Sequence, residues 1–137
     1  QLDFVIAGGG PQDDLLAIHD PLFHPLGYVN DISMYFKMYA IFVNPMRLGG
    51  GTNLKMLEAM AYGMACVTTA IGAEGIGIES GKHAIVAQTF EEMADYLCRL
   101  SDNKTQATLL GAAARQFIID YYTWPDCAKQ LIAYYNS

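Results

Sequence analysis

The run from Asn44 to Gly63, NPMRLGGGTNLKMLEAMAYG, constrains this chain most, because three consecutive glycines join an apolar strand signal to an apolar helix signal. Ala40-Ile41-Phe42-Val43, closed by Pro45, has the composition of a buried strand, and Leu54 to Ala61 reads as a helix with only Lys55 and Glu58 charged. Glycines ahead of a helix start leave bare backbone N–H groups and the positive end of the helix dipole open to an anion. A helix this apolar is expected to be packed on most sides, so its charged strip must face a cleft, a partner or solvent. Lys55 and Glu58 are three apart and share that strip. They form either an i,i+3 ion pair worth about 0.2–0.5 kcal/mol or a cation and a carboxylate turned toward a ligand. In the second reading Lys55 reaches a phosphate and Glu58, about one turn further on, accepts two sugar hydroxyls, which makes the run a nucleotide or nucleotide-sugar site. No Gly-Lys-Ser/Thr follows the glycines, so the run is not a P-loop.

The remaining pattern alternates strands and helices: strand 2–8, a short helix near 12–18, a short strand near 23–26, helix 32–39, strand 40–44, helix 53–62 and strand 65–69. A loop over 70–81, a short strand 84–87 and helices 91–100, 104–121 and 125–135 complete it. Such alternation implies an α/β fold with a parallel sheet, whose ligand loops gather at the carboxyl ends of the strands. The glycine loop and the loop opening at Gly72 both belong there. Gly8-Gly9-Gly10-Pro11 does not fit G-x-G-x-x-G, because Asp13 stands where the third glycine belongs; a tight turn with Pro11 near the start of a short helix fits better. Gly111 interrupts the apolar period Ala107, Leu110, Ala114, Phe117, Tyr121 at a cost of about 1 kcal/mol, which requires close packing at that point.

A net charge of −6 argues against nucleic acid, which needs a basic stripe, yet Arg47 and Lys55 flank the glycine loop with no acid between them, which suits a small anionic ligand. Three cysteines without paired or metal-type spacing read as buried thiols of a reducing compartment. His19, His24 and His83 share no ligand spacing with a cysteine or acid and read as hydrogen-bonded histidines, so no metal site is expected. No apolar stretch approaches the roughly 20 residues of a membrane span. At 137 residues the chain is one domain.

Pro45 through Gly63, followed by Val67-Thr68-Thr69 and Gly72-Ala73-Glu74-Gly75-Ile76, resembles the donor-binding, C-terminal half of group 1 retaining glycosyltransferases of GT-B fold. Leu2 through Pro11, Gly27 through Asp31, Gly81 through Ala87, Leu110 through Arg115 and Trp124 extend the likeness over nearly the whole chain. The resemblance implies a Rossmann-like three-layer sandwich and a domain over 1–137 that lacks its first strand, loop and helix. It also implies a missing N-terminal acceptor-binding half, a nucleotide-sugar donor as substrate and metal-independent chemistry. The donor site would consist of Arg47, Gly49, Gly50, Gly51, Thr52, Asn53, Leu54, Lys55, Glu58, Gly72 and Glu74.

Many members carry two glutamates separated by seven residues. Glu58 matches the second, which holds the ribose, and Gly50 occupies the first, so no catalytic side chain is assigned. The fold equally admits a non-catalytic nucleotide-sugar-binding module or half of a nucleotide-sugar epimerase. The parent enzyme would be cytoplasmic, or peripheral at the cytoplasmic membrane face, in polysaccharide biosynthesis. Alone, the fragment would be inactive and weakly self-associating through apolar side chains on its last helix.

Overall fold

The computed structural model describes residues 2–9 and 13–136, in two compact units, 1–38 and 39–137. The first unit carries β1 (Phe4–Ala7), α1 (Asp13–Leu16), β2 (Phe23–Gly27) and α2 (Ser33–Met38). Its two strands run parallel with Phe4 opposite Phe23, and those two rings stack at 6.2 Å. The turn expected over Gly10-Pro11 lies outside the described residues.

The second unit holds β3 (Ile41–Asn44), α3 (Leu54–Ala61), β4 (Ala65–Thr69), α4 (Ala70–Ala73), β5 (Ile85–Ala87), α5 (Phe90–Asp102), α6 (Lys104–Tyr121) and α7 (Trp124–Tyr135). Its strands form a parallel sheet in the order β3-β4-β5, with Asn44 opposite Thr68 and Val67 opposite Ile85. Among the described residues the strands therefore pair in two parallel ladders, where a single sheet was expected. The architecture is nonetheless α/β and Rossmann-like, with parallel strands flanked by helices.

The core lies between the β3-β4-β5 sheet and α5 and α6. Ala65, Val67, Ile85, Ala87, Met93, Leu100, Ala107 and Leu110 are buried together there. Thr89 caps α5 by accepting from the Glu92 amide at 3.1 Å, while the Glu92 carboxylate accepts from the Gln88 amide at 2.7 Å. Asn103 caps α6 through the Gln106 amide at 3.0 Å. These caps place the ends of both long helices.

Helix α3 ends in a Schellman turn: Gly63, at φ 76°, donates to the Met60 carbonyl and Met64 to the Ala59 carbonyl. α6 passes close against this turn. A Cβ on Gly111 would overlap the Gly63 carbonyl oxygen and lie 2.8 Å from its carbon, so the glycine inside α6 is the close-packing glycine its position implied.

Several expectations are corrected. Residues 70–73 form the short helix α4 rather than loop, because the Thr69 hydroxyl accepts from the Gly72 amide and starts a turn. Only Cys66 is buried, and Cys98 and Cys127 are exposed, so three buried thiols was wrong. Tyr121 is exposed, beyond the part of α6 that meets the sheet. Helix α3 buries Met56, Ala59 and Met60 on one side only, and Leu54 lies 69% exposed at its start.

Candidate functional site

The carboxyl edge of the β3-β4-β5 sheet brings three connections together. After β3 comes the glycine loop, after β4 comes α4, and after β5 comes the start of α5. The Arg47 guanidinium, from the first, stands 4.9 Å above the Phe90 ring, from the third. This contact holds the cation at the edge by charge–quadrupole attraction and a partly apolar stem. A Cβ on Gly75 would lie 3.8 Å from the Thr52 hydroxyl, so the second connection passes beside the glycine loop.

Beneath these loops lies a buried polar layer that sequence reasoning missed. Asn44, the last residue of β3, and Thr68, next to last in β4, are fully buried and lie opposite one another. The Asn44 carboxamide donates to the Thr68 hydroxyl at 3.3 Å and to the Gly72 carbonyl at 3.4 Å, and Thr68 returns a hydrogen bond to the Asn44 carbonyl at 3.3 Å. Gly72 is itself buried here, because a Cβ would overlap the Thr68 hydroxyl and sit 2.5 Å from Asn44 Nδ2. The available signal was a polar residue closing an otherwise apolar strand, opposite a Thr-Thr pair.

The glycine loop is folded over Met46. A Cβ on Gly49 would overlap the Met46 methyl, and the Asn53 carboxamide donates to the Met46 sulfur. Asn53 occupies the cap position of α3, yet its side chain makes no capping bond to the first turn of that helix. Gly49, Gly50, Gly51 and Thr52 are exposed, and Gly51, at φ 82°, adopts a conformation that side chains disfavour. Lys55 and Glu58 are exposed on α3. The ion pairs among the described residues are His24–Asp3, Lys82–Glu79 and Lys129–Asp126, so Lys55 and Glu58 do not neutralise one another. Glu74 is exposed at the end of α4. The structure thus gathers Arg47, Gly49 to Thr52 and the Gly72–Gly75 segment at one edge, with Lys55 and Glu58 on the helix that leaves it.

A concavity of about 780 Å³ lies between the 76–83 connection and α6 and shares no residue with the glycine loop. Its charged groups are already engaged: Lys82 with Glu79 at 3.1 Å, Gln116 with Asp120 at 2.8 Å, and His83 Nδ1 accepting from the Glu79 amide at 3.1 Å. The glycine-loop edge instead carries a lysine and a glutamate that form no ion pair among the described residues. Among the described residues no group of three or more His, Cys, Asp or Glu could hold a metal ion, and no helix is long and apolar enough to cross a membrane. Burial pushes the Cys66 thiol up to about 12, which keeps it protonated and inert.

A parallel sheet with an open glycine loop at its carboxyl edge has the arrangement in which α/β folds bind ligands. Residues 1–103 match the model of the family "Glycosyl transferases group 1", and the chain belongs to that family. An "Uncharacterized 44.6 kDa protein in cps region" of Klebsiella pneumoniae is 35% identical over 82 residues, which are 60% of this chain and 21% of that protein. Three solved structures share the fold. TarM, of S. aureus, superposes with a TM-score of 0.85 at 24% identity over 98% of this chain and 29% of its own. The C-terminal domain of the group 1 family protein LpcC from Francisella tularensis gives 0.70 at 21% over 77% and 56%. Anabaena HepE, solved with UDP and glucose, gives 0.81 at 14% over 96% and 40%. The chain therefore spans about a fifth of the curated relative and 29% to 56% of these solved chains.

Proposed function

We propose that this chain is the nucleotide-sugar-binding part of a retaining hexosyltransferase, with the donor diphosphate against the glycine loop and the first turn of α3. The observation that carries the reading is the α3 start without a side-chain cap from Asn53 beside an open loop, with Lys55 and Glu58 exposed and in no ion pair among the described residues. Loop and first-turn amides, with Arg47 and Lys55, would stabilise the charge that builds on the departing nucleoside diphosphate, so the reading requires neither a protein nucleophile nor a metal. Glu58, about one turn into the helix, would accept the ribose hydroxyls. HepE's complex with UDP-glucose supports a nucleotide-sugar donor, and the relative's place in a cps region supports polysaccharide biosynthesis.

The acceptor half and the transfer reaction would belong to a longer parent, leaving these residues inactive alone. Gly50, where a carboxylate is common in the family, favours one alternative, a non-catalytic binding module or an epimerase half; donor consumption by the parent with and without acceptor separates these.

Glu58→Ala tests the site directly. If Glu58 holds the ribose, UDP affinity falls ten- to a hundred-fold, about 1.5–3 kcal/mol, while the urea midpoint stays put, because the side chain is exposed. Isothermal titration beside a urea melt reads both, and unchanged affinity removes Glu58 from the site.

A further inference from the structure

One hydroxyl joins the two loops of the site. Thr69, the last residue of β4, donates from Oγ1 to the Met46 carbonyl at 2.7 Å and accepts from the Gly72 amide at 3.1 Å. The Met46 carbonyl belongs to the floor of the glycine loop, since the Met46 side chain lies under Gly49 and against Asn53. The Gly72 amide belongs to α4, whose continuation passes Thr52 at Gly75. The hydroxyl donates to one loop and accepts from the other, at a half-buried position where water is a poor substitute.

Elsewhere the two loops are held unequally. Asn44 reaches the Gly72 carbonyl at the upper distance for a hydrogen bond, 3.4 Å, and the Tyr122 hydroxyl donates to the Ile76 carbonyl at 2.7 Å; both tie only the second loop. The Arg47–Phe90 contact is outside the glycine triplet and leads to α5. Of the side chains described at this edge, Thr69 is the one that hydrogen-bonds both loops.

We infer that Thr69 is a positioning residue, which clasps the Met46–Thr52 and Gly72–Gly75 segments so that they present their backbone to the ligand as one body. The inference rests on the donor-site reading above. A diphosphate bound to backbone amides gains from amides already in place, because ordering a loop at the moment of binding consumes affinity.

Thr69→Val keeps the branched shape and strand propensity and deletes both bonds; Thr69→Ser keeps the hydroxyl. Amide chemical shifts and hydrogen exchange on the full 137-residue chain are read first, without ligand, and UDP is then titrated. In Thr69→Val, amides of both loops are expected to shift and exchange at least tenfold faster, while β5 and α5 stay as they are. UDP affinity should fall about tenfold, with Thr69→Ser within twofold of wild type on both readouts. Loosening of one loop or neither overturns the clasp, as does failure of the serine to rescue. Loosening of both loops with unchanged UDP affinity overturns the positioning role. If wild type binds no UDP while both loops loosen in the valine variant and are restored by serine, the clasp stands and the donor-site reading falls.

Discussion

Gly111→Ala sets two opposed effects against each other, and the structure decides between them. In an ordinary exposed helix this substitution stabilises by about 1 kcal/mol, because glycine loses more backbone freedom on folding. At Gly111 the new methyl would overlap the Gly63 carbonyl oxygen and lie 2.8 Å from its carbon and 3.2 Å from the Met64 carbonyl carbon. Carbon atoms rest at about 3.5–4.0 Å, so α6 must back away by roughly an ångström. The obstacle is backbone, pinned in a Schellman turn by the Gly63–Met60 and Met64–Ala59 hydrogen bonds, and cannot swing aside. Retreat lifts Ala107, Leu110, Ala114 and Phe117, the buried face of α6. Overpacking of this kind costs about 1–3 kcal/mol, and the upper end applies against backbone, leaving a net loss near 2 kcal/mol after the helix gain. A urea melt followed by far-UV circular dichroism measures it. Gly50→Ala is the control, since Gly50 has no positive φ and nothing within 4 Å of its Cβ position, and should stay within about 0.5 kcal/mol of wild type. A Gly111→Ala chain as stable as wild type, or more so, would refute the packing argument.

Gly72→Ala should be worse: its methyl would enter the Asn44–Thr68 layer, and each buried group left without a partner costs about 1–3 kcal/mol, for a loss of about 2–5 kcal/mol in the same melt. The thiols give a prediction set by pKa. With the Cys66 thiol raised to about 12 by burial, its thiolate fraction at pH 8 is on the order of one part in ten thousand. An aromatic disulfide reagent should therefore label Cys98 and Cys127 in the native chain and Cys66 only after denaturant, and three rapid equivalents without denaturant would contradict the packing of β4.

The parts of the fold legible in the sequence are those with a local cause. Strand 65–69 and helix 104–121 are found at their expected bounds, the first because a short apolar run follows the glycine that stops α3, the second because Asn103 caps a long periodic helix. Helix α4 was not legible, since four residues carry no period and its start depends on the Thr69 hydroxyl. The glycine loop, Lys55 and Glu58 could be picked out because residue types and spacing announce them. Met46, Asn44, Thr68 and Thr69 could not, because their roles come from two strands meeting in register, which no local pattern encodes. Exposure of Cys98 and Cys127 likewise depends on which faces of α5 and α7 are covered, whereas composition offers only an average.

A titration of the ¹⁵N-labelled chain with UDP tests most directly whether the ligand binds at the carboxyl edge of the β3-β4-β5 sheet. The amides of Gly49 through Lys55, with those of Gly72 through Gly75, are expected to shift together along one saturating curve, while the concavity lined by Glu79, His83, Gln116 and Phe117 stays unperturbed. Saturable shifts confined to that concavity, or none at the glycine loop at millimolar UDP, would contradict it.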